Sequence, residues 1–301
     1  MKHVTDQLIE RIEALGNPTV MGLDPRIARI PEKIRRDAAG ETPQDKAASA
    51  ILTFNKGLME AVRDIIPAVK PQLAYYELYG SPGLAAFAAT CKAAKKMGFV
   101  VIADGKRNDI GSTASAYADA YLGSTKYPDG REERSFEADW LTVNPYLGID
   151  GIKPFIDTGR GLFSLLRTSN PSAADLQNLV LENGQTLYEK TADLLDEWGS
   201  ATRGDFGYST VGAVVGATWP EEAGKLRQAH PHLFFLVPGY GAQGGDASSV
   251  RPNFDAKGRG AIVNASRSLN YAWQAKKTDD YQQATREEAL AMRSALRKAL
   301  A

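Results

Sequence analysis

Eight short apolar runs recur along the whole chain, and amphipathic segments separate them. The runs are rich in Val, Ile, Leu and Phe and occupy residues 19–24, 68–73, 99–104, 140–145, 162–167, 211–216, 233–238 and 261–265. The clearest segments with helical spacing are residues 45–65, 81–97, 185–198, 220–229 and 280–300. Near-continuous apolar strands separated by such helices predict a parallel sheet that is covered on both faces.

The number of strand–helix units favours a closed (β/α)8 TIM barrel, because eight parallel strands close such a barrel. An open, doubly wound sheet is the alternative that the pattern leaves. No break in composition divides the 301 residues, so we expect a single domain over residues 1–301 with an extra N-terminal helix. Three polar stretches are too long for tight connections and are expected to form extended loops on one rim. They are residues 28–43, 123–137 and 168–184.

Charge and composition argue against several classes of protein. Lys+Arg and Asp+Glu both number 36, so the basic excess of a nonspecific nucleic-acid binder is missing. Cys91 is the one cysteine and only three histidines occur, so we expect no disulfide within the chain and no metal site. The first residues lack the apolar core of a signal peptide. The longest uncharged stretch, residues 228–245, holds two prolines and four glycines, so we expect no membrane span and a cytoplasmic location.

Polar residues fall where the predicted strands end, which is where barrel enzymes carry their catalytic groups. Asp24 ends the first run and Lys70 lies inside the second. Asp104 ends the third run and is followed by Lys106 and Asp109. An inward Lys70 needs carboxylates nearby, and the flanking strands end in Asp24 and Asp104. We therefore favour the inward orientation over a lysine that reaches solvent, and we expect Asp104 and Lys106 on one side of an extended segment.

The last two strands lead into a candidate phosphate site. Barrels that bind phosphorylated substrates often use the loops after strands seven and eight. The seventh run is followed by the glycine-rich residues 239–245, where backbone N–H groups can approach an anion. The eighth run is followed by Ser266 and Arg267, and a guanidinium suits a phosphate. The alternative is a plain turn and a surface arginine. The chain has neither a Walker loop nor a dinucleotide fingerprint.

Together these residues resemble orotidine 5′-phosphate decarboxylase, and in particular the longer, type 2 form of that family. The similarity extends from GLDP at residues 22–25 to SRSL at residues 266–269. Its most specific piece is ADGKRNDIGSTA at residues 103–114, which follows the family's pattern Asp-x-Lys-x-x-Asp-Ile-x-x-Thr. Two further specific pieces are RTSNPSA at residues 167–173 and PGYGAQGGD at residues 238–246.

The resemblance implies a carboxy-lyase that converts orotidine 5′-monophosphate (OMP) to UMP and CO2 without a cofactor, as the last step of de novo UMP biosynthesis. The catalytic residues that it implies are an alternating Lys–Asp–Lys–Asp array of Lys70, Asp104, Lys106 and Asp109. Lys106 would protonate C6 of the pyrimidine. Loss of CO2 leaves a carbanion there, so the enzyme must stabilise that charge and deliver a proton. An ammonium group can do both, and flanking carboxylates favour its charged form.

The resemblance also implies the substrate-binding residues and a partner subunit. Asp24 would contact the ribose hydroxyls and Ser169 the pyrimidine. The pyrimidine-to-phosphate end would be surrounded by Pro238, Gln243, Gly244, Gly245, Ser266 and Arg267. Asp109, Ile110 and Thr113 would come from the other subunit of a homodimer with shared active sites. Ser266 stands where shorter members of the family carry glycine.

Two alternatives remain open from the sequence, another lyase and a protein without enzymatic activity. One is a magnesium-dependent lyase on the same scaffold, such as a hexulose-phosphate synthase, which carries an extra acid near the end of strand one. Asp24 stands alone in GLDPR, which argues against it. The other is a phosphate-binding sensor without turnover, and the presence of all four charged residues argues against that alternative.

Overall fold

The computed structural model describes residues 2–241 and 246–301. Its strands are β1 (Thr19–Leu23), β2 (Ala68–Pro71), β3 (Val100–Arg107), β4 (Thr125–Lys126), β5 (Glu132–Glu133), β6 (Trp140–Val143), β7 (Gly161–Arg167), β8 (Val211–Val215), β9 (Phe235–Val237) and β10 (Ala261–Ala265). Its helices are α1 (Val4–Leu15), α2 (Glu32–Arg36), α3 (Pro43–Val62), α4 (Ala74–Glu77), α5 (Gly80–Lys96), α6 (Gly111–Tyr121), α7 (Lys153–Ile156), α8 (Ala174–Gln177), α9 (Leu187–Gly199), α10 (Pro220–Ala229), α11 (Ala247–Val250), α12 (Arg267–Asn270), α13 (Ala272–Lys276) and α14 (Tyr281–Leu300).

Eight of the strands form a closed parallel barrel in the order β1, β2, β3, β6, β7, β8, β9, β10. β10 pairs back onto β1, with Met21 opposite Ala265, so the sheet has no free edge. All eight predicted strands are present, and the predicted (β/α)8 barrel is confirmed. The open, doubly wound alternative is wrong. β4 and β5 form a separate antiparallel hairpin outside the barrel.

The five helices that the spacing predicts are also present, within a few residues of the expected ends. α3 begins at a capping box, in which the Thr42 hydroxyl accepts the Asp45 N–H and the Asp45 carboxylate accepts the Thr42 N–H. Thr186 and Glu189 form the same motif at the start of α9. α3 buries Ile51, Phe54 and Leu58 completely, and this apolar face packs in the layer between barrel and helices.

The predicted N-terminal helix is confirmed, and it closes the amino end of the barrel. α1 contributes Val4, Leu8 and Ile9 to the cluster that fills the barrel interior. In that cluster the rings of Trp140 and Phe163 stack with centroids 4.4 Å apart. An apolar plug at the amino end leaves the carboxyl ends of the strands as the open mouth of the barrel.

Two of the three long polar stretches lie at that mouth, but the third does not. Residues 28–43 follow β1 and residues 168–184 follow β7, as expected. Residues 123–137 instead connect α6 to β6, at the amino end, because the chain must return there after each helix. The expectation of a single rim is wrong for this stretch. Arg134 fixes it by donating to the carbonyls of Leu122 and Ala138, at 3.2 and 2.9 Å.

Candidate active site

A buried carboxylate lies between two lysines at the mouth of the barrel. Lys70 projects inward from β2 and forms an ion pair with Asp104 Oδ2. Lys106 Nζ lies 2.7 Å from the other oxygen, Asp104 Oδ1. The side chains of Lys70 and Asp104 are 6% and 8% exposed, whereas that of Lys106 is 45% exposed. The predicted inward orientation of Lys70 is confirmed, and three members of the expected array meet in one chain.

Two neutral side chains complete the hydrogen bonding of this carboxylate. Thr142, on β6, donates its hydroxyl to Asp104 Oδ1 at 2.8 Å, and Gln72 donates its amide to Asp104 Oδ2 at 3.0 Å. Each carboxylate oxygen therefore accepts two hydrogen bonds. Neither residue was predicted from the sequence. Gln72 stands two positions after Lys70, and Thr142 interrupts the apolar run of β6, so their positions were the available signal.

The backbone at Lys106 takes a shape that simple strand alternation does not predict. β3 continues past its expected end at Asp104, and its register against β6 shifts between Ala103 and Arg107. Lys106 has a φ of 47°, in the left-handed region, which is uncommon for a residue with a side chain. Its N–H donates to Thr142 Oγ1 at 3.0 Å. Asp104 and Lys106 lie on one side as predicted, but an irregularity of the strand aims Lys106 at the carboxylate.

The electrostatics of the array follow from burial and charge pairing. Burial alone would raise the pKa of Asp104, but the charges and hydrogen bonds of Lys70 and Lys106 outweigh burial and hold that pKa well below its ordinary value. Burial alone would lower the pKa of Lys70, but the Asp104 and Asp24 carboxylates outweigh it and raise that pKa. Asp104 is thus held as a carboxylate and Lys70 as an ammonium.

Asp24 lies just beyond the end of β1 in a different environment. Burial raises the pKa of its carboxyl group, and the charge of Lys70 only partly offsets this. Its Oδ1 atom is buried without a hydrogen-bond partner among the described residues. Asn264 Oδ1, on β10, is likewise buried without a hydrogen-bond partner among the described residues. Buried acceptors without partners at the mouth of a barrel are suited to a ligand that donates hydrogen bonds, such as one with hydroxyl groups.

Glycines allow two close approaches around this mouth. A Cβ atom added to Gly22 would lie 1.9 Å from Ser266 Oγ, so only glycine lets β1 and Ser266 come together. A Cβ atom added to Gly216, which follows β8, would lie 2.8 Å from Ser169 Cβ. Both glycines therefore make room for side chains that the sequence analysis places in the substrate site.

Two adjoining cavities occupy the mouth of the barrel. The larger, about 510 Å³, covers the array, and the smaller, about 200 Å³, adjoins it on the side of β1 and β10. The predicted residues that line the larger cavity are Asp24, Lys70, Asp104, Lys106, Ser169, Pro238 and Ser266. Those that line the smaller one are Asp24, Pro238, Ser266 and Arg267. Gln243, Gly244 and Gly245 lie outside the described residues. Within the described ranges, no three His, Cys, Asp or Glu side chains group closely enough to hold a metal ion.

The fourth member of the expected array does not reach the other three within one chain. Asp109 lines neither cavity, and its Oδ1 accepts the N–H of Ile110 at 2.8 Å. Ile110 is 54% exposed and Thr113 is also exposed. These three residues lie on the surface of the chain, next to the mouth of the barrel.

Both cavities are also lined by side chains that were not predicted from the sequence. Asn264 lines both, and Arg26, Arg29 and Tyr271 line the smaller one. Asn144, near the end of the fourth predicted strand (residues 140–145), lines neither of them. Arg26 follows Asp24 by two residues, so its place after a strand end was a usable signal.

Fold and site together define a TIM-barrel enzyme whose charged groups project from the carboxyl ends of its strands. Lys106 offers a half-exposed ammonium beside a cavity, which can stabilise a developing anion or donate a proton. The comparisons with known proteins give the particular family.

The sequence model described as the orotidine 5′-phosphate decarboxylase / HUMPS family matches residues 53–278, and the chain belongs to this family. It is 45% identical to a protein of Rhodopirellula baltica named orotidine 5′-phosphate decarboxylase, over 88% of this chain and 87% of that one. It is 40% identical to one of the same name from Caldicellulosiruptor bescii, over 95% of both chains. A crystal structure titled as a putative orotidine-monophosphate-decarboxylase from Toxoplasma gondii superposes with a TM-score of 0.78 and 30% identity, over 99% of both chains.

These findings confirm the resemblance and the expected enzyme class, a carboxy-lyase. Assignment to the type 2 form stays a prediction. Of the helices in the described ranges, none combines the length and the apolar character that crossing a bilayer requires.

Proposed function

We propose that this chain decarboxylates OMP to UMP and CO2, with Lys106 as the proton donor. The observation that carries the proposal is the buried Asp104 carboxylate shared by Lys70 and Lys106 beneath the larger cavity. Lys106 is the more exposed of the two lysines, so it is the one that a substrate in this cavity can reach. The names of the relatives, which are 35–45% identical, support the substrate.

The proposed step requires only the substrate and this lysine. The C6–carboxylate bond breaks, CO2 leaves, and the electron pair stays on C6. The ammonium of Lys106 stabilises this charge and gives its proton to C6, which forms UMP. Solvent then returns a proton to the amine. Asp104 holds Lys106 in place through the 2.7 Å ion pair, and it would lie near the departing carboxylate.

The remaining proposed contacts would extend from the larger cavity to the smaller one. Asp24, with its unpartnered Oδ1, would accept hydrogen bonds from the ribose hydroxyls. Ser169 would contact the pyrimidine in the larger cavity, and Arg267 would bind the phosphate in the smaller one. Pro238 and Ser266, which line both cavities, would lie between those two ends. Gln243, Gly244 and Gly245 are proposed to contact the phosphate from the loop after β9.

We further propose that the chain, as one domain, works as a cytoplasmic homodimer in which Asp109 completes the partner's array. Asp109 lies outside both cavities of its own chain. Large apolar side chains are exposed around this part of the surface, which is typical of an interface between proteins. They include Ile110 at 54%, Tyr146 at 77%, Leu147 at 47% and Ile149 at 39% exposure. A two-fold axis would make the donation reciprocal, so each dimer would hold two composite sites.

An ultraviolet assay of OMP loss tests the proposal directly. The purified chain should consume OMP and form UMP, and treatment with EDTA should leave the rate unchanged. Loss of activity with EDTA would instead favour a magnesium-dependent lyase. The Lys106→Ala variant should still bind UMP but lose nearly all turnover, whereas Lys126→Ala, on the hairpin outside the barrel, should keep it. Binding of UMP by the wild type without consumption of OMP would favour the sensor.

A further inference from the structure

The smaller cavity carries more positive charge than the one predicted arginine provides. Arg26, Arg29 and Arg267 all line it, and Asp24 is the one carboxylate among its lining residues. Three positive charges against one negative charge leave a net charge of +2 around about 200 Å³. Such a cavity attracts an anion, and the attraction grows with the charge of that anion.

No carboxylate among the described residues forms an ion pair with any of these three arginines. The partner of the Arg26 side chain is the Tyr75 hydroxyl, at 3.2 Å, and Arg29 binds the amide oxygen of Gln274 at 2.6 and 2.8 Å. Both partners are neutral. The four residues 242–245 contain no carboxylate in their sequence either. The guanidinium charges are therefore left for a ligand to neutralise.

The backbone that carries Arg26 is fixed by contacts with Tyr271, in the segment that follows β10, the strand next to β1. The Arg26 N–H donates to the Tyr271 hydroxyl at 2.8 Å, and that hydroxyl donates to the Asp24 carbonyl at 2.9 Å. Arg29 packs over the Tyr271 ring, 3.9 Å from its centroid, and so holds the tyrosine in place. A fixed backbone reduces the entropy that Arg26 would lose on binding a ligand.

Arg26 and Arg267 reach this cavity from adjacent strands. β1 pairs with β10, with Met21 opposite Ala265, and Arg267 follows Ala265 by two residues. Arg26 follows Met21 by five residues and lines the same cavity. Two guanidinium groups that border one small cavity match the chemistry of a phosphate monoester, which carries a charge of about −1.5 to −2 at pH 7.

We propose that Arg26 is a second phosphate-binding residue, which acts with Arg267 on the phosphate monoester of the substrate. Arg29 is a positioning residue that acts on Arg26 through Tyr271. This inference rests on the proposed function for the identity of the substrate, but not for the class of ligand. The smaller cavity would bind a phosphate monoester such as ribose 5-phosphate even if the base of the natural substrate were different.

Calorimetric titration with UMP and with ribose 5-phosphate tests this role. In Arg26→Gln the Kd of both ligands should rise about 10-fold to 100-fold, as expected for a lost charge-assisted hydrogen bond. Arg26→Lys should recover part of the affinity, because it restores the charge without the planar fork. Arg36→Gln is the matched control, since Arg36 is exposed on α2 beside Asp37 and lines neither cavity.

The outcomes separate this inference from the proposed function. If the wild type binds ribose 5-phosphate but not UMP, the proposed substrate is wrong while Arg26 is still tested by the sugar phosphate. Because Arg26 is exposed, the melting temperature of Arg26→Gln should stay at the wild-type value, which distinguishes lost binding from lost folding. A Kd for ribose 5-phosphate within twofold of wild type in Arg26→Gln would overturn the inference. An equal loss in Arg36→Gln would overturn it too, by showing only a general effect of charge.

Discussion

Neutralising Asp104 should destabilise the chain more than removing either lysine that it binds. The Asp104→Asn substitution keeps the shape of the side chain and removes its charge. Lys70 is 6% exposed, so the substitution leaves a buried ammonium without its main counterion. Breaking a buried pair from one side costs about 3–5 kcal/mol of unfolding free energy. Asp24 also attracts Lys70, so we expect a loss near the lower end, about 3 kcal/mol.

The two lysine variants should lose less unfolding free energy than Asp104→Asn, and for different reasons. Lys106→Met breaks an ion pair whose lysine is 45% exposed, and such pairs contribute about 0–1 kcal/mol. Lys70→Met removes the buried cation itself. Asp104 then keeps Lys106, Thr142 and Gln72 as hydrogen-bond donors, so the cost should be about 1–3 kcal/mol. The expected order of destabilisation is Asp104→Asn, then Lys70→Met, then Lys106→Met.

Urea denaturation followed by circular dichroism measures these differences. All variants should be compared at pH 7 and at one protein concentration, because association would make stability depend on concentration. The folded-state pKa of Asp104 lies below its ordinary value of 3.8, so its stabilising contribution is present above pH 3.8. It is lost only as the pH falls through the folded-state pKa. The penalty of Asp104→Asn should therefore persist at pH 5. A penalty for Lys106→Met as large as that for Asp104→Asn would refute this account of burial.

Three further predictions concern the rest of the site. Mixing inactive Lys106→Ala and Asp109→Asn chains under subunit exchange should restore roughly a quarter of wild-type turnover if sites are shared, and confirmed exchange without rescue would refute sharing. The pKa of Asp24 is raised above 3.8 in the folded chain, so its ionisation opposes folding and Asp24→Asn should increase stability at pH 7. This gain should shrink as the pH falls through the raised folded-state pKa, and it should be absent below pH 3.8. Gly22→Ala should lower the free energy of unfolding by about 1–3 kcal/mol, because the added methyl group would lie 1.9 Å from Ser266 Oγ. An unchanged midpoint in urea titrations would contradict this packing.

The fold was predictable from the sequence because each barrel strand is a nearly uninterrupted apolar run. Strands that are buried on both faces lack alternation, so residues such as 211–216 and 261–265 stand out between amphipathic helices. The connection at residues 123–137 was predicted at the wrong end of the barrel. Polar loops occur at both ends, so polar composition does not show at which end a loop lies. Composition does not show whether a loop leads from a strand to a helix or from a helix to a strand.

The candidate site was predictable where charge alone marks a residue, and less so where geometry does. Lys70 and Asp104 are conspicuous because charged residues inside apolar strands need partners. Thr142 and Gln72 are neutral, and only the closed barrel shows that both donate to Asp104. The left-handed backbone at Lys106 has no signal in the sequence, since that conformation is usually marked by glycine.

Burial distinguishes the two lysines that bind Asp104. Lys70 is enclosed, and its ammonium is engaged by Asp104, so it fixes the charge of the carboxylate but has little access to a substrate. Lys106 binds the other oxygen of the same carboxylate with nearly half of its side chain exposed. Its left-handed backbone is tied to Thr142, which also donates to Asp104, so both groups are aligned by one hydroxyl. The proposed proton donor must be held firmly and yet be open to the cavity, and of the two lysines only Lys106 meets both conditions.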